Sequence, residues 1–163
     1  MSSVDKSAII ADLRAQLARE IETLTFAAHQ AREAATHEEA KPENDKDTRA
    51  IEAAYLAGAQ ADRVRDLQTA ENALAFLRLR DFGPTDTVGL GALVELEAED
   101  DATLLYFLAP QGGGMRSVQG GKVIQVVTPQ SPLGQALVGR SEGESVEVRG
   151  PRGKRELVIV GLR

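Results

Sequence analysis

Apolar residues recur in alternating steps of three and four from about Ser7 to Ala35, at Ile10, Leu13, Leu17, Ile21, Leu24, Ala28, Ala31 and Ala35. A heptad seam of this length predicts a coiled-coil helix. Ser7 is placed to cap it, although no Glu or Gln three residues later completes a capping box. A second run begins near Asp47-Thr48, either of which could cap, and continues to about Arg80. Its apolar positions are Ile51, Ala54, Tyr55, Gly58, Ala61, Val64, Leu67, Leu74 and Leu77. In both runs the residues nearest the intervening segment are mostly small. That symmetry predicts an antiparallel pair in close approach, with Ala28 and Ala31 facing Ala54 and Gly58. About 30 residues at 1.5 Å rise make a rod of roughly 45 Å. A fragment of a helical bundle or an intermolecular coiled coil is the alternative.

Between the runs lies His37-Glu38-Glu39-Ala40-Lys41-Pro42-Glu43-Asn44-Asp45-Lys46-Asp47, which holds five carboxylates. Proline inside a helix costs ~3 kcal/mol. Pro42 therefore marks the turn or the first position of the second helix. The expected result is a hairpin with an acidic tip at about residues 36–47. Phe26 and Tyr55 are expected to pack within the coiled coil, and His29 to flank its seam on the surface.

Beyond Asp81 the pattern changes. Phe82-Gly83-Pro84-Thr85 supplies a glycine and a proline as the helix stop. Val88–Glu97, Thr103–Leu108, Lys122–Thr128, Glu144–Arg149 and Arg155–Leu162 then read as five strands of a mostly antiparallel sheet. One short helix interrupts them, capped by Ser131, started by Pro132 and ended by Gly139. The fold class is thus α+β. A helical hairpin over residues 1–82 precedes a small β domain with one short helix over residues 83–163.

Composition narrows the function. The 163 residues include no Cys, which excludes disulfides, zinc-thiolate sites and thiol catalysis. Aromatics are 4% and Trp is absent, low for a ligand-pocket enzyme and ordinary for a coiled coil. A net charge of −6, with neither half of the chain basic, argues against a nucleic-acid binder that works by its own surface. The start Met1-Ser2-Ser3-Val4-Asp5-Lys6 is no signal peptide, and no apolar run approaches the ~20 residues of a membrane span. A cytoplasmic protein with no membrane partner is the default expectation. Gly120-Gly121-Lys122 is followed by Val123, where a phosphate loop requires Ser or Thr, so it reads as a flexible loop.

With these parts in order, the chain resembles the bacterial Gre family of transcript-cleavage factors. Val88-Gly89-Leu90-Gly91-Ala92-Leu93-Val94-Glu95-Leu96 looks like the family's first strand. Ser131-Pro132-Leu133-Gly134-Gln135-Ala136-Leu137-Val138-Gly139, with Gly143 and Val146-Glu147-Val148 after it, is similar to the family's Ser-Pro-Leu helix and following strand. At the tip the family pattern is Gly-Asp-x-x-Glu-Asn with an aromatic shortly afterwards. Glu43-Asn44 fits its second half, but Ala40 stands three before Glu43, and Asp47 stands where Tyr is usual.

The resemblance implies an antiparallel coiled coil followed by an FKBP-like antiparallel β domain. It implies a monomer that binds RNA polymerase, enters its secondary channel and meets nascent RNA only indirectly. Such a chain is a co-catalyst rather than a free-standing enzyme. Mg²⁺ shared with the polymerase active site would be held by Glu39 and Glu43, with Asp45 as a possible substitute. Ser131, Pro132 and Leu133 would touch the polymerase rim. Three function classes follow: a cleavage-stimulating factor, an inhibitory relative with an altered tip, and a peptidyl-prolyl isomerase suggested by the β fold alone. The isomerase is disfavoured because Tyr106 and Phe107, the only aromatics after Gly83, are adjacent on one strand and face opposite ways. On their own the tip acids also read as a solvated charge cluster, and Ser131-Pro132 as a helix start.

Overall fold

A computed structural model describes residues 4–38 and 46–163. Helices α1 (Lys6–Glu38) and α2 (Lys46–Ala75) come first. Strands β1 (Leu93–Ala98), β2 (Thr103–Leu108), β3 (Arg116–Gln119) and β4 (Lys122–Val127) follow. Helix α3 (Pro132–Leu137) and strands β5 (Ser145–Gly150) and β6 (Gly153–Leu162) close the chain. The chain divides into two compact units, Ala15–Asn72 and a second made of the residues up to Arg14 with Ala73–Arg163. The opening turns of α1 and the last of α2 thus belong to the β unit. No described helix is long and apolar enough to cross a membrane.

The β unit is a six-stranded sheet of order β3-β4-β2-β1-β6-β5. All neighbours are antiparallel except β2 and β4, which pair in parallel from Leu105↔Ile124 to Leu108↔Val127. The β3–β4 hairpin folds back so that β4 lies beside β2 and β3 takes the edge. Strand β3 is one more strand than the hydrophobic pattern suggests. Its inward residue is Ser117, 1% exposed, whose hydroxyl donates to the Asp12 carboxylate at 2.6 Å. A polar residue satisfied by a distant partner carries no alternation signal.

One sheet face holds the main core, with Val94, Leu96 and Ala98 of β1, Leu108 of β2, and Leu157, Ile159 and Leu162 of β6. Phe82, Val88 and Leu137 of α3 complete it. On β1, Leu93, Glu95 and Glu97 alternate to the other face, where Phe107, Leu105, Ile124 and Val126 are also buried. Ile9, Leu13 and Leu74, from the helix ends within this unit, are fully buried as well. Each such side chain contributes ~1.5–3 kcal/mol through burial.

Helix boundaries differ from the sequence expectation at three points. Asp5, not Ser7, caps α1: its carboxylate accepts the Ser7 N–H at 2.9 Å and its carbonyl accepts the Ile9 N–H at 3.1 Å. The Ser7 hydroxyl bonds the same carboxylate and, with the backbone bond, holds it below the usual range. Helix α2 begins at Lys46, so Asp47 and Thr48 lie in its first turn rather than before it. It also ends at Ala75, ahead of the Gly83-Pro84 stop. Phe82 is drawn into the core at 6% exposure, and the Arg80 guanidinium covers its ring at 3.9 Å. The Lys6 ammonium donates to the carbonyls of Arg80 and Gly91. The bond to the Arg80 carbonyl and the cations over the Phe82 ring hold the end of the non-helical segment that follows Ala75.

In the helical unit, the two arms run antiparallel and Arg63 bridges Glu20 at 2.8 Å. Leu24, Ala28, Gln60, Ala61 and Val64 line one cleft of about 460 Å³. Leu17 and Leu67 are buried, and Ile21, Leu24 and Val64 half-buried. Phe26 and Tyr55 do not pack: they are 63% and 78% exposed. Phe26 is two residues from seam position Leu24, on the outer side of α1. Tyr55 stands in a stretch of α2 that is exposed all round, with Ile51 and Leu56. Ala28 and Ala31 offer one methyl each, too little surface to cover such residues. Nor do the helices approach closely at Gly58, where an added Cβ would meet nothing within 4 Å.

Candidate functional site

The corner before α3 is built by its sequence. Ser131 has extended backbone, and its hydroxyl accepts the Gly134 N–H at 3.0 Å while donating to the Thr128 carbonyl at 2.8 Å. Pro132 takes the first helical position, where its missing N–H costs nothing. Gly134 is required, because a Cβ there would lie 1.8 Å from the Thr128 carbonyl oxygen. The helix closes at Val138, and Gly139 with φ +80° follows. Gly139 N–H donates to the Val88 carbonyl at 2.9 Å, and Val88 N–H to that of Arg140 at 2.8 Å. The corner is therefore tied at both ends and held rigid.

The three residues of this corner divide by exposure. Pro132 is exposed, Ser131 is half-buried and used as the cap, and Leu133 packs partly against the main core. Val138, 45% exposed, is the C-cap residue just beyond α3. The corner thus offers Pro132 and Val138 as its free apolar surface. The resemblance did not single out Val138, although an apolar residue at a helix end beside Gly139 was a visible signal.

Glu39, Glu43 and Asp45 lie outside the described residues, as does Pro42. Glu38 ends α1 and Asp47 lies near the start of α2. His29 is exposed beside Glu33, with Nε2 3.3 Å from its carboxylate. Among the described residues no cluster of three or more His, Cys, Asp or Glu could hold a metal. Phe107 is fully buried on one sheet face and Tyr106 packs against the main core on the other, so the pair lines no common pocket.

The sequence pattern described as "Transcription elongation factor, GreA/GreB, C-term" matches residues 83–163. Transcription elongation factor GreA of Pseudomonas aeruginosa is 29% identical over 102 residues, covering 62% of this chain and 61% of that protein. The GreA of Brucella anthropi is 34% identical over 79 residues, covering 48% and 46%. The matches thus span less than two thirds of either relative's length. Among solved structures, GreA factor homolog 1 of Thermus thermophilus superposes with a TM-score of 0.40 at 19% identity, over 92% of this chain and 94% of that one. The domain formed by residues 83–163 thus matches the C-terminal domain of the GreA/GreB transcription elongation factors.

Proposed function

We propose that the protein binds RNA polymerase, inserts its paired helices into the secondary channel and stimulates cleavage of backtracked RNA. The observation that supports this best is the GreA/GreB match over residues 83–163, preceded in the chain by helices of 33 and 30 residues. The segment linking those helices carries Glu39, Glu43 and Asp45. In this reading the chain acts as a cytoplasmic monomer and meets nascent RNA only inside the polymerase complex. The β domain docks outside the channel through the Ser131-Pro132-Leu133 corner, with Pro132 and Val138 as its outward surface.

Carboxylates alone form a hard, oxygen-only donor set, which suits Mg²⁺. Glu39 and Glu43, with Asp45 as substitute, would hold the ion shared with the polymerase. When bound, it supplies Lewis-acid stabilisation and lowers the pKa of coordinated water. The same carboxylates orient an attacking water by accepting its hydrogen bonds. Two carboxylates on a free tip hold an ion weakly, and docking raises their effective concentration at the reacting phosphate.

A transcript-cleavage assay on stalled elongation complexes tests this. Glu39→Gln and Glu43→Gln should keep polymerase binding and lower cleavage by about 10-fold or more. Matching rates for both variants at limiting Mg²⁺ would exclude the pair and shift attention to Glu38, Asp45 and Asp47. A second reading is favoured by the altered tip, where Ala40 stands three before Glu43 and Asp47 replaces the usual aromatic. It makes the protein an inhibitory channel occupant, and wild-type docking without cleavage would select it.

A further inference from the structure

The hairpin joining β5 and β6 is a basic stretch in an acidic chain. From Val148 to Arg155 it carries Arg149, Arg152, Lys154 and Arg155 and no carboxylate, against a net charge of −6 for the whole. All four basic residues are exposed. Gly150 pairs with Gly153, leaving Pro151-Arg152 as the connection. Pro151 fixes its own φ at the first corner, and Gly153 sits at φ +106°, where side-chain-bearing residues are strained. The tip is therefore a tight turn whose backbone is already fixed.

Within the fold these charges are only partly compensated. Arg149 stands directly opposite Lys154, and like charges so placed destabilise a ladder. Lys154 is relieved by Glu147 at 2.7 Å, and this contact holds the Glu147 carboxyl below its ordinary range. Arg149, Arg152 and Arg155 are in no ion pair among the described residues.

The surroundings decide which anion fits. Behind the tip, Glu147 pairs with Glu156 across the strands, and Glu99, Asp100 and Glu156 line a cleft of about 240 Å³ with Arg155. A nucleic-acid backbone laid along the hairpin would cross these carboxylates. The hairpin also has no aromatic to stack on a base and no amide to read one. A compact group of carboxylates on a protein meets the tip without reaching the acids behind it, and guanidinium groups bind carboxylates in paired hydrogen bonds.

We propose that the β5–β6 hairpin, through Arg149 and Arg152, is an interaction surface for a carboxylate-rich patch on the polymerase; this rests on the polymerase-binding reading above. Its charges steer the domain into contact, as complementary charges do mainly through the association rate. The test is association of the full chain with core RNA polymerase, followed by biolayer interferometry at several salt concentrations. Arg149→Glu with Arg152→Glu should slow association about 10-fold at low salt, and the difference should vanish near 1 M salt, where the Debye length is about 3 Å. Arg149→Lys with Arg152→Lys should retain the wild-type rate, and its thermal melt should match because both sites are exposed. Wild-type binding that charge reversal leaves unchanged overturns the hairpin alone. Absence of wild-type binding overturns the polymerase reading and the hairpin with it. Tight binding of a random DNA duplex that the reversal abolishes makes the partner nucleic acid and also overturns the proposal.

Discussion

At the scale of single residues, Gly134 and Ser131 carry the α3 corner. Gly134→Ala would force a methyl to 1.8 Å from the Thr128 carbonyl oxygen, and backbone on that side has no rotamer through which to yield. We expect a loss of about 3 kcal/mol, the upper range for overpacking, read as a lowered thermal midpoint of the β unit. A melt within a degree of wild type would mean that the Thr128–Gly134 approach is wrong. The corner's shape was legible in the sequence because Ser, Pro and the closing Gly139 each have one local reason to stand there. Its division into buried and free side chains was not. Leu133 turns partly inward and Val138 outward, which depends on the sheet beneath rather than on the helix itself.

At the scale of elements, both helices were legible from their seams, but their packing was not. The small residues of α1 and α2 suggested close approach, yet at Gly58 there is open space. Glycine there weakens the helix without serving a contact. Gly58→Ala should therefore stabilise the helical unit by roughly 0.5–1 kcal/mol through propensity alone, measured by denaturant melts followed at 222 nm. Destabilisation would instead reveal a close neighbour. Strand β3 and the early end of α2 escaped the pattern for one common reason. Each is set by bonds to residues far away in the chain, Ser117 to Asp12 and the Arg80 carbonyl to Lys6. Periodicity reports only the residues within its own window. At the tip, the carboxylates carry a metal-binding proposal by resemblance alone, and the substitution experiment decides it.

At the scale of the whole molecule, pH couples to stability through the β unit's carboxylates. Glu144 accepts the Ser141 N–H and an Arg140 bond, and Glu147 binds Lys154, so both are depressed below their ordinary 4.5. A depressed carboxyl contributes stability fully above its unfolded pKa and loses it as pH falls through the folded value. Both groups are solvent-exposed, so the effect is screened by salt. Glu144→Gln with Glu147→Gln should flatten the fall in melting temperature below about pH 4.5, most clearly in dilute buffer. An unchanged acid limb would show that these contacts do not persist in solution. The Asp12–Ser117 bond has a consequence of another kind. It joins residues 105 apart, so the β unit cannot be completed until its far half has been synthesised. At typical rates of about 5–20 residues per second, the opening turns of α1 wait roughly 5–20 s after leaving the ribosome with Ile9 and Leu13 uncovered. Contact order therefore makes α1 among the last elements to be secured although it is made before the sheet that covers it, and a chaperone's window of opportunity lies on its uncovered apolar residues.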